Sequence, residues 1–212
     1  DPAALDLLAD GSLVAFGSSY VGMYGLSSIL KTDSAGNGTF HHVVDTHDND
    51  IRDFEEIVEA GQKTADGGFI LVAHGSNPGP DYSAYLIKLN AAGVWQWTKA
   101  YQDTVNGYGA EAYAVTQTAD GGFLLCGELY NDIVNKALGH GTWIAKTDSS
   151  GNLLWFERYA EGSRVHLPRA IEELPDGGIL VGGYDEVGSM QVAKFTANRS
   201  EEHTSELQSR QS

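Results

Sequence analysis

Apolar and polar positions alternate along most of the chain, and turns carrying Asp, Asn and Gly break the alternation at intervals. The pattern is clearest between Tyr113 and Tyr159. Tyr113, Val115 and Gln117 alternate with Ala114, Thr116 and Thr118, the period of a strand. Asp120-Gly121 follows as a turn signal, and we expect a two-residue type I′ hairpin there, with positive φ at both central residues. Phe123 to Cys126 is continuously apolar, too short for a core helix and suited to a strand buried on both faces. Thr142 to Thr147 reads as a third strand. Asp148 to Gly151 reads as a tight turn in which Asp bonds the backbone ahead and Gly takes positive φ. Leu153 to Tyr159 is a fourth strand.

This unit recurs. Asp-Gly-Gly stands at Asp66, Asp120 and Asp176, with Asp10-Gly11-Ser12 as a weaker copy, at spacings of 56, 54 and 56 residues. A second marker, Lys before a polar turn, recurs in step at Lys31, Lys88, Lys146 and Lys194. A lone four-stranded sheet cannot cover two apolar faces, whereas stacked copies can. A period of about 55 residues with four antiparallel strands predicts an all-β fold, a β-propeller fragment of about three and a half blades. Solenoids have shorter periods, and an immunoglobulin-like sandwich would not repeat its turns so faithfully. The blades are expected at about 2–40, 54–101, 110–159 and 170–198, the last incomplete. Phe40, Trp97 and Trp155 hold equivalent positions and are expected to pack between blades.

Two stretches, "TADGGFILVAHG" with "LIKLNAAGVWQW" and "TADGGFLLCGE" with "IAKTDSSGNLLW", resemble a widespread bacterial family of secreted propeller repeats. The resemblance runs nearly to Asn198. It implies blade structure and an extracellular or cell-envelope location, and it supplies no catalytic residue. The Asp-x-x-Gly-x-x-x-Trp piece is also similar to the tryptophan motif of quinoprotein propellers. The spacing differs by one residue and no cofactor-binding residues are recognisable, so shared blade structure is what that likeness implies. At Asn198 the repeat stops where Gly is due. Eleven residues from Arg199 resemble the translation of a short-read sequencing adapter. Residues 199–212 are therefore expected to be a non-native tail outside a propeller domain of residues 1–198, and the parent protein is expected to continue.

The chain has 13 Lys and Arg against 29 Asp and Glu, a net charge of −16. Such a surface repels nucleic acid and anionic membranes, so neither is an expected partner. No apolar run reaches the length of a membrane span. The single cysteine, Cys126, lies in an apolar strand and reads as core; it permits no internal disulfide and leaves the compartment open. The chain starts at Asp1 without Met or signal peptide, as expected of a processed or truncated product.

The densest polar stretch runs from His41 to Asp53 and includes His42, Asp45, His47, Asp48 and Asp50. It has no EF-hand spacing and no zinc-hydrolase spacing, so a solvated acidic loop is expected, with no metal and no cofactor assigned. No nucleophile elbow or phosphate loop is present. Carboxylates for glycoside cleavage could come from Asp45, Asp103, Asp132 or Asp185, and nothing selects two of them. Arg164, His166 and Arg169 form a small basic group, expected to pair with nearby Asp or Glu. Because strands alternate direction, the tight strand 1–2 and 3–4 turns share one end of the array and the longer connections share the other. Long loops on a rigid scaffold carry most binding chemistry. Asp48, Tyr108, Asp132 and His166 on that end are the expected binding residues, and no catalytic residue is assigned. The leading expectation is a secreted, non-enzymatic module that binds a glycan or protein ligand. The alternatives are a propeller enzyme acting on glycans, as hydrolase or lyase, and a structural spacer. Self-association through incomplete blade faces is a further expectation.

Overall fold

The computed structural model describes residues 2–8, 10–21, 24–44, 55–76, 82–102, 109–130, 141–159, 165, 167–185 and 187–202. They form strands alone, in four sheets of four. The first holds β1 (Pro2–Leu7), β2 (Leu13–Val21), β3 (Tyr24–Thr32) and β4 (Gly38–Val44). The second holds β5 (Glu55–Lys63), β6 (Phe69–Ser76), β7 (Tyr82–Leu89) and β8 (Trp95–Tyr101). The third holds β9 (Gly109–Gln117), β10 (Phe123–Tyr130), β11 (Gly141–Thr147) and β12 (Leu153–Tyr159). The fourth holds β13 (Leu167–Glu173), β14 (Ile179–Tyr184), β15 (Met190–Phe195) and the short β16 (Glu201–Glu202). Every sheet is antiparallel in simple sequence order, the arrangement of a propeller blade.

The first strands of consecutive blades adjoin, β1 to β5, β5 to β9 and β9 to β13, so they form the inner wall of the array. Between blades lie three apolar layers. Phe16 and Ile29 meet Phe69 and Leu71; Ile70 and Leu86 meet Leu125 and Ala145; Leu124 and Ile144 meet Val181 and Ala193. Trp97 packs against the second layer and Trp155 against the third, as inter-blade aromatics. Cys126 is buried in the third layer, and burial pushes its thiol up.

The Asp-Gly-Gly turns depart from the two-residue type I′ expectation. Gly121 has φ of 83° while Asp120 stays in the ordinary region, and Thr118 and Gly122 close a longer loop by the bond from Thr118 N to Gly122 O. One residue needs positive φ because this is a three-residue loop ending in a left-handed Gly. Asp120 keeps negative φ and caps the turn instead, accepting from Gly122 N and Thr118 Oγ1. Asp148 caps the turn to Gly151 in the same manner, and Gly151 takes the positive φ read for it.

In blade four the corresponding glycine is Arg199, which adopts φ of 72° and closes the turn from Thr196 to Ser200. Arg199 also pairs with Glu157 and lies over Trp155, so residues 199–202 contact blade three and add the last strand of blade four.

Candidate functional site

A β-bulge interrupts the inner strand of every blade. The register shifts between Pro2 and Ala4, Val58 and Ala60, Ala112 and Ala114, and Pro168 and Ala170. The extra residues are therefore Ala3, Glu59, Tyr113 and Arg169, each seven positions before the repeat aspartate of its blade. Bulges leave one residue outside the ladder and re-aim its side chain, which is why they gather at sites. Here they put a carboxylate, a phenol and a guanidinium at one level of the inner wall, in three successive blades.

Strand two supplies the next layer. His74, Glu128 and Tyr184 are equivalent to one another, paired with Ile57, Glu111 and Leu167 two residues before the bulge. Tyr113 Oη donates to Glu111 Oε2 at 2.5 Å and to Glu128 Oε2 at 3.5 Å. A single phenol thus stands between two carboxylates. The two carboxylate oxygens that face it are therefore no more than about 6 Å apart, close enough for one glycosidic bond to lie against both. The His74 ring meets Tyr113 edge-on at 5.9 Å, with Nε2 3.9 Å from Glu111 and Nδ1 3.7 Å from Glu59. His74 Nδ1 is buried and makes no hydrogen bond. The Arg169 guanidinium lies over the Tyr113 ring at 3.9 Å. Glu59 and Arg169 reach solvent at the flanks, while His74, Glu111, Tyr113 and Glu128 form a buried floor.

Trp143 fixes that floor from behind. It is fully buried, stacks on Phe156 at 5.1 Å, and donates Nε1 to the backbone carbonyls of both Glu111 (3.1 Å) and Glu128 (3.2 Å). Gly127 lets the strands close up at the bulge, since a Cβ there would overlap the Glu111 carbonyl and crowd the Trp143 ring. Glu111 and Arg169 sit near the starts of β9 and β13, and His74 and Glu128 near the ends of β6 and β10. All four lie toward the end of the array opposite the tight turns.

Asp48, Tyr108, Asp132 and His166 lie outside the described residues, as do Asp45, Asp103 and Arg164. His41 and His42 fall in β4, and the acidic run from Asp45 to Asp53 is also outside the described residues. Asp185 caps a short turn between β14 and β15, accepting from Val187 N and Ser189 N. Arg169 lies over the Tyr113 ring on the inner wall, where the bulge aims it, and among the described residues no ion pair of Arg169 with an acid is seen. The residues brought together at the inner wall were not singled out from sequence. The column seven places before each repeat aspartate marks three of them, Glu59, Tyr113 and Arg169: it reads Ala, Glu, Tyr, Arg, while the next column is Ala in all four blades. Among the described residues no group of three metal-ligating side chains converges. A mainly apolar cavity of about 320 Å³ between blades one and two, walled by Val14, Ile29 and Phe69, lies at the tight-turn end.

No protein-family model matches the chain, and no curated protein matches it. Solved structures do share its fold. A protein of unknown function from Dyadobacter fermentans matches with a TM-score of 0.64 at 17% identity, over 94% of this chain and 61% of that one. A β-xylosidase/α-arabinofuranosidase of family GH43 from a compost microbial metagenome matches with a TM-score of 0.57 at 12% identity, over 94% and 74%. A glycosyl hydrolase from Bacteroides ovatus matches with a TM-score of 0.52 at 11% identity, over 94% and 65%. These likenesses establish the β-propeller fold. The chain spans less than two thirds of the length of the first and third of these proteins.

Proposed function

We propose that the chain is the blade array of a glycan-cleaving propeller enzyme, with Glu111 and Glu128 as its acid–base carboxylates. The observation that carries this reading is the pairing of those two side chains across Tyr113 on the inner wall. Glycoside hydrolysis needs one carboxyl to protonate the leaving oxygen and a second to activate water or attack the anomeric carbon. Water is consumed, and its proton and hydroxyl end on the two sugar products. Tyr113 and His74 hold Glu111 from two sides, and Trp143 holds the backbone of both carboxylates. Glu111, on the innermost strand and the more exposed of the pair, is the group a ligand meets first. The glycoside hydrolase descriptions of two fold neighbours support the reading by analogy of fold. We also infer an extracellular or cell-envelope setting, supported by the likeness of the blade motifs to secreted propeller repeats.

The long connections at the same end favour one second reading, a non-enzymatic glycan or protein binder that uses Asp48, Tyr108, Asp132 and His166. A panel of xylan, arabinan and mannan, assayed in parallel for reducing ends and for binding, separates the two. Sugar release supports the enzyme. Saturable binding without release, lost on Asp132→Ala or His166→Ala, supports the binder.

A further inference from the structure

We propose that the cavity between blades one and two binds a small neutral phenol. The other two junctions show what this place in the fold accommodates. In strand four of blade two, Trp97 and Tyr101 pair with Lys88 and Ala84. Trp97 packs over Gly151, where a Cβ would stand 2.8 Å from its ring, and its ring centre lies 6.3 Å from that of Phe123. Tyr101 is buried and donates from Oη to the Gly151 carbonyl at 2.8 Å. Blade three repeats this toward blade four: Trp155 packs against the third apolar layer, and Tyr159 donates to the Arg199 carbonyl at 3.1 Å. Gly151 and Arg199 hold the same place in the repeat, five residues after Lys146 and Lys194. Each of these junctions closes with an indole and a phenol from one blade, the phenol bonding to the turn carbonyl of the next.

Blade one departs from this pattern. Pairing with Lys31 and Ser27 makes Phe40 and Val44 the equivalents of the Trp and the Tyr. Phenylalanine lacks the second ring of an indole, and valine has neither ring nor hydroxyl. The cavity of about 320 Å³ is lined by Val14, Ile29, Phe69 and Gly93. These are the equivalents of Ile70, Leu86, Phe123 and Gly151, the group on which Trp97 and Tyr101 close. Val14, Ile29 and Phe69 are buried and give apolar walls. Gly93 holds the place whose carbonyl accepts a tyrosine hydroxyl in the next two blades. Apolar cavities of about 150 Å³ admit benzene, and pockets for small molecules begin at about 300 Å³. A phenol supplies both the ring and the donor that the residue types of blade one omit. Charge favours a neutral ligand. The Asp10 carboxyl is held below its ordinary value by the Ser12 hydroxyl and backbone, with the Lys31 charge adding to it. Lys31, which also lines the cavity, therefore already faces an anion.

Calorimetric titration of the full chain with phenol, anisole, benzoate and N-acetyltyrosinamide tests this. Phenol should bind with a Kd of about 1 mM or tighter. Anisole, whose oxygen cannot donate, should bind at least about threefold more weakly for want of one hydrogen bond. Benzoate and N-acetyltyrosinamide should also bind more weakly than phenol. Intermolecular NOEs should run from the phenol ring to the methyl groups of Val14 and Ile29, a readout that needs no variant. Phe40→Trp/Val44→Tyr builds into blade one the pair found in blades two and three. It should weaken phenol binding at least about tenfold and melt above the parent. No phenol binding, or NOEs confined to other residues, overturns the proposal. Anisole binding as tightly as phenol overturns the donor, and tighter benzoate overturns the neutral ligand. Tighter N-acetyltyrosinamide overturns the small ligand in favour of a tyrosine from a partner peptide. A folded double variant that still binds phenol as the parent does overturns the site.

Discussion

Lys88 Nζ lies 2.9 Å from Asp66 Oδ2, although Lys88 is buried and Asp66 is open to solvent. Lys146 meets Asp120 at 3.0 Å and Lys194 meets Asp176 at 3.7 Å. The two columns that mark the repeat in sequence are each other's partners. Lys88 also donates to the Leu89 carbonyl at 3.0 Å, and Asp66 accepts from Thr64 and Gly68. Asp66→Ala strips a buried ammonium of its counter-ion and uncaps the turn, with an expected cost of about 3 kcal/mol. Lys88→Met leaves Asp66 satisfied and should cost under about 1.5 kcal/mol. Urea unfolding of both variants checks the order, and equal losses would contradict it.

The same pairs set an acid limit. The Asp66 carboxyl is held down to about 2 by the Thr64 hydroxyl, with Lys88 and Gly68 N adding to it against partial burial. Asp120 is held at about 2 by Thr118, Gly122 N and Lys146. A carboxyl whose folded value lies below its ordinary 3.8 favours the folded state when ionised. That stability is complete above the ordinary value and is lost as the pH falls from 4 through about 2. The unfolding midpoint should drop across this window, and an Asp66→Asn/Asp120→Asn double variant should drop less steeply. Parallel profiles would show that these carboxylates are not the source.

The blade pattern was legible because its signals are local. A turn needs its Asp cap and its left-handed Gly within five residues, and a buried strand needs four apolar residues in a row. The turn type is not legible in the same way, because Asp120-Gly121 looks like a two-residue loop and only the bond from Thr118 to Gly122 makes it a three-residue one. The carboxylate pair was not legible for a different reason. Glu59, His74, Glu111, Tyr113, Glu128 and Arg169 come from five strands and three blades, and bulges that leave no mark in composition aim three of them. Charge is dense along the chain elsewhere, around His47 and Asp48, and sequence density does not mark convergence in space.

Gly127→Ala should test whether the bulge sets the site. Its Cβ would overlap the Glu111 carbonyl, so the expected loss exceeds that of Gly121→Ala, which has open space and only the cost of about 1 kcal/mol for positive φ. Thermal unfolding should rank the two in that order. The reverse ranking would mean the strands separate freely at the bulge.

Trp143→Phe keeps an aromatic ring against Phe156 and removes the donor shared by the Glu111 and Glu128 carbonyls. About 1–3 kcal/mol should be lost for the unsatisfied buried carbonyls, with a fall in kcat larger than any change in KM. An unchanged kcat would remove Trp143 from the support of the site.

Truncation after Asn198 should melt several degrees below truncation after Glu202, because residues 199–202 supply β16, the Glu157 pair and the contact over Trp155. Equal melting temperatures would make those contacts incidental.

Glu111 and Glu128 are proposed to do their chemistry together. Sugar release from the best glycan of the panel should be measured for the parent chain, Glu111→Gln, Glu128→Gln and the exposed control Gln96→Ala, each with its melting temperature. Both glutamine variants should lose at least about 10²-fold in kcat, the usual contribution of a positioned acid or base, while the control keeps full activity and all four stay folded. Glutamine variants that turn over as fast as the parent, or a parent that releases no sugar from any glycan, would contradict the account.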